Sequence, residues 1–373
     1  MIIKKQYIFR CIITLLVQGA IIQGSLAQDF EHSKVITTAV PGLRIPVDAR
    51  GGGMGEAGIA VSADANGVFR NVAKTPFAAN RSALAVNYTP WMRDITNGMY
   101  LMSLSGYHRP DTLQAITASI RYFNLGNFVL QDYNGNLLQT ARPNDLLVDI
   151  GYARRLSGRL GIGVALRYIN SNLANGNVES VNYKPGESLA GDLSFFYNGV
   201  NATGQGFSAG LSLTNLGSRI SYTSGATKEF IPANLGIGAA YTLVPEEGHR
   251  ITLAADVNKL LVPAVPEEAD KRPDYYNMGI VESWTRSFDN KAFQYSFGAE
   301  YNYYNYFSLR TGYFLENQNQ GNRKGFTAGV GIAYSAWRLD LSYIIPSGST
   351  YTRNPLSNTF RIGLQLMIDQ HED

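Results

Sequence analysis

From about residue 80 onward, apolar and polar positions alternate with a period of two. Gly158–Ser171 puts Leu160, Ile162, Val164, Leu166 and Tyr168 on one face, with Gly161, Gly163, Ala165 and Arg167 on the other. Ala233–Leu243 repeats this, with Leu235, Ile237, Ala239, Tyr241 and Leu243 against Gly236, Gly238, Ala240 and Thr242. The pattern returns at Phe293–Tyr301, Phe326–Tyr334 and Phe360–Ile368. Successive side chains of a strand point to opposite faces, so each run predicts a strand with one apolar face. The runs are about 9–12 residues long, enough for a tilted strand to cross a bilayer. Soluble sheets more often use about 5–6.

Fourteen such strands are predicted, centred near residues 87, 102, 119, 150, 164, 193, 211, 238, 253, 297, 311, 330, 341 and 364. After the second strand the joins alternate in length. The short ones are 109–113, 155–157, 199–204, 244–248, 304–306 and 335–336; the long ones are 126–144, 172–187, 217–232, 259–291, 316–324 and 346–358. Short periplasmic turns alternating with long outer loops, together with an even strand number, are the signature of a bacterial membrane barrel. A secreted β-sandwich, the soluble rival, has no reason to alternate its loops. Charge follows the same phase: Arg121, Arg167, Arg310, Arg338 and Arg361 fall opposite the apolar face, as do Asp149, Asp192, Asp256, Glu300 and Asp340. An Arg on the lipid face at mid-depth costs roughly 2–4 kcal/mol. Inward-facing, these groups can pair across a lumen. Arg121, Arg167, Asp192, Glu300, Arg310, Asp340 and Arg361 form the candidate ion-pair set.

Composition narrows the class further. Charged residues make up 16%, beside Gly 38, Tyr 23 and Phe 17, whereas soluble domains carry about 25% charged residues. Residues 1–27 read as a cleaved signal peptide: Lys4, Lys5 and Arg10, then the apolar run Cys11–Ile22, then Ser25-Leu26-Ala27. Removing those three basic residues leaves 29 basic and 29 acidic side chains, so the formal charge of +3 belongs to the leader. A neutral remainder excludes a nucleic-acid partner chosen by bulk charge. After residue 27 no apolar stretch approaches the roughly 18 residues of a spanning helix. A closed barrel needs none, because its backbone groups are satisfied between strands. The expected architecture is therefore all-β: a 14-stranded antiparallel transmembrane β-barrel over 82–368. A hatch segment at 28–81 would lie in its lumen, with a short periplasmic tail at 369–373.

Little in the chain suggests chemistry. The only cysteine lies in the leader, and His32, His108, His249 and His371 show no ligand spacing. No metal, cofactor or catalytic residue is assigned, and Glu246-Glu247 and Glu267-Glu268 read as solvated carboxylates. A lipase with scattered rim residues is the remaining enzymatic alternative. Gly53–Gly58 formally matches GxGxxG, but no strand–turn–helix unit surrounds it. Glycines that let a segment pack tightly in a narrow lumen account for it better. The join 259–291 is the longest, with Tyr275, Tyr276, Trp284 and Phe288 near its end. These aromatics are either an exposed contact surface or part of a loop folded back over its own barrel.

The stretch Val47–Arg50, Met54–Ala57, Asp64–Asn66 and Asn71-Val72-Ala73 resembles the N-terminal hatch of FadL-like barrels, with Asn71 in its motif. Tyr88–Met92, Gly298–Tyr301, Arg310–Phe314, Gly321–Lys324 and Asn354–Thr359 are more specific. With these the whole mature chain resembles the PorV family, FadL-like outer-membrane proteins of type IX secretion. That resemblance implies a shuttle. It would bind the C-terminal signal domain of cargo leaving the translocon barrel and deliver it to the sortase attachment complex. The loops 217–232, 259–291 and 346–358 would provide contacts, with Tyr275, Tyr276, Trp284, Phe288 and Tyr351 as candidates, and outer-membrane lipid would surround the barrel. The alternative is a FadL-like channel for hydrophobic small molecules.

Overall fold

The computed structural model describes residues 35–92, 98–131, 134, 137–174, 176–178, 181–223, 228–347 and 359–368. The leader, the tail at 369–373 and Tyr351 lie outside the described residues. Fourteen strands form one closed barrel. They are β1 (Ser82–Pro90), β2 (Tyr100–His108), β3 (Gln114–Asn124), β4 (Asn144–Arg155), β5 (Leu160–Asn172), β6 (Gly186–Asn198) and β7 (Gly206–Gly217). Then come β8 (Asn234–Glu246), β9 (His249–Leu260), β10 (Phe293–Tyr303), β11 (Phe307–Glu316), β12 (Lys324–Tyr334), β13 (Trp337–Pro346) and β14 (Phe360–Ile368). Each pairs antiparallel with its neighbours in sequence, and β1 closes on β14 from Ser82↔Ile368 to Tyr88↔Ile362. Every predicted strand centre falls inside one of these strands. The short joins are 109–113, 156–159, 199–205, 247–248, 304–306 and 335–336, and they alternate with longer ones. Two small ladders extend the joins after β3 and β5: Phe128–Gln131 with Leu137–Ala141, and Gly176–Val178 with Val181–Tyr183.

Period-two sequence becomes period-two burial. Along β5, Leu166 is 69% exposed while Arg167 beside it is 3% exposed. Such an inversion, with the apolar side chain outside and the charged one inside, is unfavourable in water and stable in hydrocarbon. Among the described residues no helix is long and apolar enough to cross a membrane.

Residues 35–81 add no strand to the barrel. They contain 3-10 turns at Pro41–Arg44, Gly67–Phe69 and Val72–Phe77 and a short helix, α1 (Ala49–Gly53). One turn of helix is unstable alone. Asp48 caps it by accepting from Gly51 N at 2.6 Å, and the barrel wall supplies further partners to the segment. Gly58 N and Ile59 N donate to Asp256 Oδ2 at 2.7 and 3.0 Å. Gly55 N donates to Thr327 Oγ1 at 2.8 Å, which in turn donates to Gly53 O at 3.0 Å. Ser208 Oγ donates to Ala60 O at 2.8 Å. Gly55 has φ +62°, and a Cβ there would collide with the backbone of Phe297 and Tyr313. The glycine-rich run is thus a close backbone approach to the wall.

Lys74 sits inside this packing, 2% exposed, donating to Gly58 O at 2.7 Å. Burial pushes its ammonium down to about 8. An unfolded lysine titrates near about 10.4. Between those values the unfolded chain binds more protons, so stability rises with pH across that window. Lys74→Met removes the effect. Chemical unfolding should show the wild type gaining on this variant from about pH 8 to about pH 10; a pH-independent difference would contradict the assignment.

Candidate functional site

The inward-facing charges form connected networks. Arg167 pairs with Asp149 and, at 3.0 Å, with Asp192; it also donates to Asn215. Arg121 lies 3.7 Å from Asp149. A second network joins Glu300, Arg310, Asp340 and Arg338 through contacts of 2.6, 2.7 and 3.1 Å. Arg361 stands apart from both and pairs with Glu56 at 3.4 Å. The candidate set therefore divides into these groups.

Period-two reading missed the partners supplied by residues 35–81. Arg50 holds Glu300 through two contacts, Nε to Oε2 at 3.0 Å and Nη2 to Oε1 at 2.8 Å, and reaches Asp64 at 3.0 Å. Arg70 pairs with Asp48 at 3.0 Å, and Arg44 with Glu316 at 3.2 Å. Asp256 takes two backbone amides of this segment instead of a cation. Asn71 accepts from Ala73 N at 3.0 Å and donates to Phe195 O at 3.0 Å and Ile59 O at 3.2 Å. It caps a 3-10 turn and ties it to β6.

At the end of the barrel carrying the long joins, residues 261–292 fold over the wall and contain α2 (Arg272–Asn277) and α3 (Ile280–Arg286). Tyr275 is 2% exposed and packs with Ile36, Phe230, Leu260, Val262 and Ala292. Burial pushes its phenol up. Tyr275 is accordingly an internal anchor, not a contact residue, and Tyr276 is half-buried against it. Phe288 is 59% exposed and Val281 67%, with Trp284 partly exposed between them. The loop thus has a buried anchor and an exposed apolar edge.

Arg219 clamps the loop from the preceding long join. Its guanidinium donates to Tyr276 O at 2.6 Å and to Met278 O, and lies over the Phe230 ring at 3.9 Å. A cation over a ring contributes about 0.5–2 kcal/mol. Arg219→Ala is expected to leave the barrel intact and raise the rate at which protease cuts 261–292. Cleavage at the wild-type rate would show that the clamp is not needed.

The model of the family described as type IX secretion system protein PorV matches residues 28–267. The chain belongs to the PorV family. It is therefore an outer-membrane β-barrel protein of the type IX secretion system. No curated protein matches the chain. Among solved structures it is similar to the Ralstonia pickettii toluene transporter TbuX, with TM-score 0.52 and 13% identity over 84% of this chain and 96% of that one. The CymD monoaromatic hydrocarbon channel gives TM-score 0.55 and 13% identity over 87% and 98%. At this identity the likeness concerns the fold alone.

Proposed function

We propose that this PorV-family barrel is a non-enzymatic shuttle of type IX secretion. It binds the C-terminal signal domain of cargo leaving the translocon barrel and delivers it to the sortase attachment complex. The observation that carries this reading is the family match over residues 28–267. The geometry is compatible: residues 35–81 bond to the inward faces of the wall, as a hatch would, and ion pairs cross the lumen, which leaves the rim and joins to meet partners. The long joins face outward, and the short turns and the C-terminus face the periplasm. Val281, Trp284 and Phe288 are the contact edge, and Tyr351, which lies outside the described residues, remains a further candidate from the sequence. The hydrocarbon channels of the same fold suggest a rival, uptake of hydrophobic small molecules. The charged inward faces speak against it.

Deleting the gene and fractionating proteins that carry the C-terminal secretion signal tests the proposal. The expected result is uncleaved cargo in the periplasm, normal levels of other outer-membrane proteins, and rescue by the intact gene. Unchanged secretion and cleavage would remove the shuttle reading.

A further inference from the structure

The barrel end with the short turns divides by chemistry. On β10–β13 and their turns it carries Tyr303, Tyr306, Tyr334 and Trp337, all exposed. Aromatic rings with a polar atom gather where membrane meets water, so this girdle marks a headgroup level. On the opposite side of the ring, the β2–β3 and β4–β5 turns carry Arg109, Arg154, Arg155 and Arg159 instead. The lipid-facing side of β4 runs Leu146, Val148, Ile150, Tyr152 and then Arg154, all exposed. Arg154 therefore lies about 7 Å beyond a tyrosine on the same face, at the level where hydrocarbon gives way to headgroups.

Asp111 is the only carboxylate of those two turns, and its own turn occupies it. Oδ1 accepts from Leu113 N at 2.7 Å and Gln114 N at 2.8 Å, and Oδ2 from Gln114 Nε2 at 2.7 Å. Arg154 feels its charge without forming an ion pair. Two of the arginines are engaged at the mouth of the lumen: Arg109 donates to Ala78 O, and Arg155 lies over the Phe77 ring at 4.4 Å. Arg154 and Arg159 remain exposed on either side of one tight turn. Leu156 N donates to Leu160 O at 2.8 Å, and Ser157 Oγ accepts from Arg159 N at 3.2 Å and Leu160 N at 3.1 Å. Leu113, Leu156 and Leu160 surround these arginines and are exposed too, Leu156 by 62%.

An exposed arginine is hydrated and needs no partner; what distinguishes this pair is its level in the bilayer and its apolar surround. We propose that Arg154 and Arg159 hold the phosphate of an anionic phospholipid in the inner leaflet. Its acyl chains lie along the row Ile116, Tyr152 and Val164, which are neighbours in register on β3, β4 and β5. A partner at this place has to offer an anion to the guanidinium forks and hydrocarbon to the leucines. A phospholipid presents both in that order, and the planar fork matches phosphate oxygens. The aliphatic stems of the arginines can lie along the chains while their heads stay at the phosphate. Glu246 and Glu247 on the β8–β9 turn repel the same headgroup, which confines the site to one side of the barrel. The leaflet rests on the orientation proposed above; the binding does not, and its test reads lipid and not cargo.

Native mass spectrometry of the full chain in a neutral detergent, titrated with phosphatidylglycerol, tests the site. The wild type should retain this lipid, should not retain diacylglycerol with the same chains, and should not lose the lipid to inorganic phosphate at equal concentration. Each arginine removed should weaken binding about fivefold, the effect of one basic residue at an anionic membrane surface. Arg154→Gln combined with Arg159→Gln should thus lose more than tenfold, whereas Arg250→Gln beside Glu246 and Glu247 should bind as wild type. Neither Arg154 nor Arg159 takes part in an ion pair among the described residues, so heat-modifiable mobility should be unchanged. The paired Arg→Lys variant, which keeps both charges, should restore most of the affinity. Unchanged affinity in the double Gln variant, equal retention of diacylglycerol, or displacement by inorganic phosphate would each overturn the proposal. So would a wild type indifferent to phosphatidylglycerol, which would leave the patch to an acidic protein.

Discussion

Replacing Glu300 by Gln is expected to destabilise the barrel by about 3–5 kcal/mol, the range seen when one partner of a buried ion pair is removed. Glu300 is 6% exposed and lies between two cations. Arg50 holds it through both carboxylate oxygens, and Arg310 Nε donates to Oε2 at 2.6 Å. The variant keeps the side-chain size and removes the charge, so two buried guanidinium groups lose their shared counter-ion. Arg50 keeps Asp64 and Arg310 keeps Asp340, which places the expected loss nearer the lower end of that range. Arg50 belongs to residues 35–81 and Glu300 to β10. The loss should therefore appear first as protease cutting in the N-terminal segment, before the strands unfold in denaturant. The exposed Glu282–Arg286 pair, with a contact of 2.9 Å, supplies the control. Glu282→Gln should change stability by no more than about 0.5 kcal/mol. Equal effects of the two variants would show that the Glu300 network contributes nothing beyond an exposed pair.

These two pairs also mark how far the sequence can be read. In a membrane barrel, one face of every strand meets hydrocarbon and the other a polar interior. The environment thus stamps a period of two on the sequence itself, and the strand centres and the inward direction of Glu300 and Arg310 followed from it. Residues 35–81 have no comparable period. They are short turns held by backbone amides, so their contacts depend on three-dimensional positions that spacing does not encode. Asp48, Arg50, Glu56 and Arg70 were missed for that reason, although the glycine run at 51–58 did signal a close backbone approach. Tyr275 and Phe288 show the same limit in the long join. Both are aromatics in a polar loop, and only packing against Phe230 and Ile36 separates the buried one from the exposed one.

That separation leads to the second large effect. Val281 and Trp284 lie three residues apart on α3, and Phe288 follows after one further turn, in the spacing that places side chains on one helical face. The Glu282–Arg286 pair occupies other positions of the same helix. An apolar edge of this kind, rimmed by charge, matches the centre of a protein-binding surface. The triple change Val281→Ser, Trp284→Ser and Phe288→Ser should therefore abolish export of signal-bearing cargo, which would collect uncleaved in the periplasm. An aromatic anchor of an interface contributes about 2 kcal/mol or more, so Trp284→Ser alone should reproduce much of the defect. None of the three belongs to the buried cluster around Tyr275, so barrel level and heat-modifiable mobility should stay at wild type. Tyr275→Ala is the contrasting variant: it removes the anchor, and its secretion defect should come with faster proteolysis of 261–292. If the triple variant secretes normally while its barrel is intact, the edge is not the contact, and the joins 218–233 and 347–359 become the surfaces to alter next.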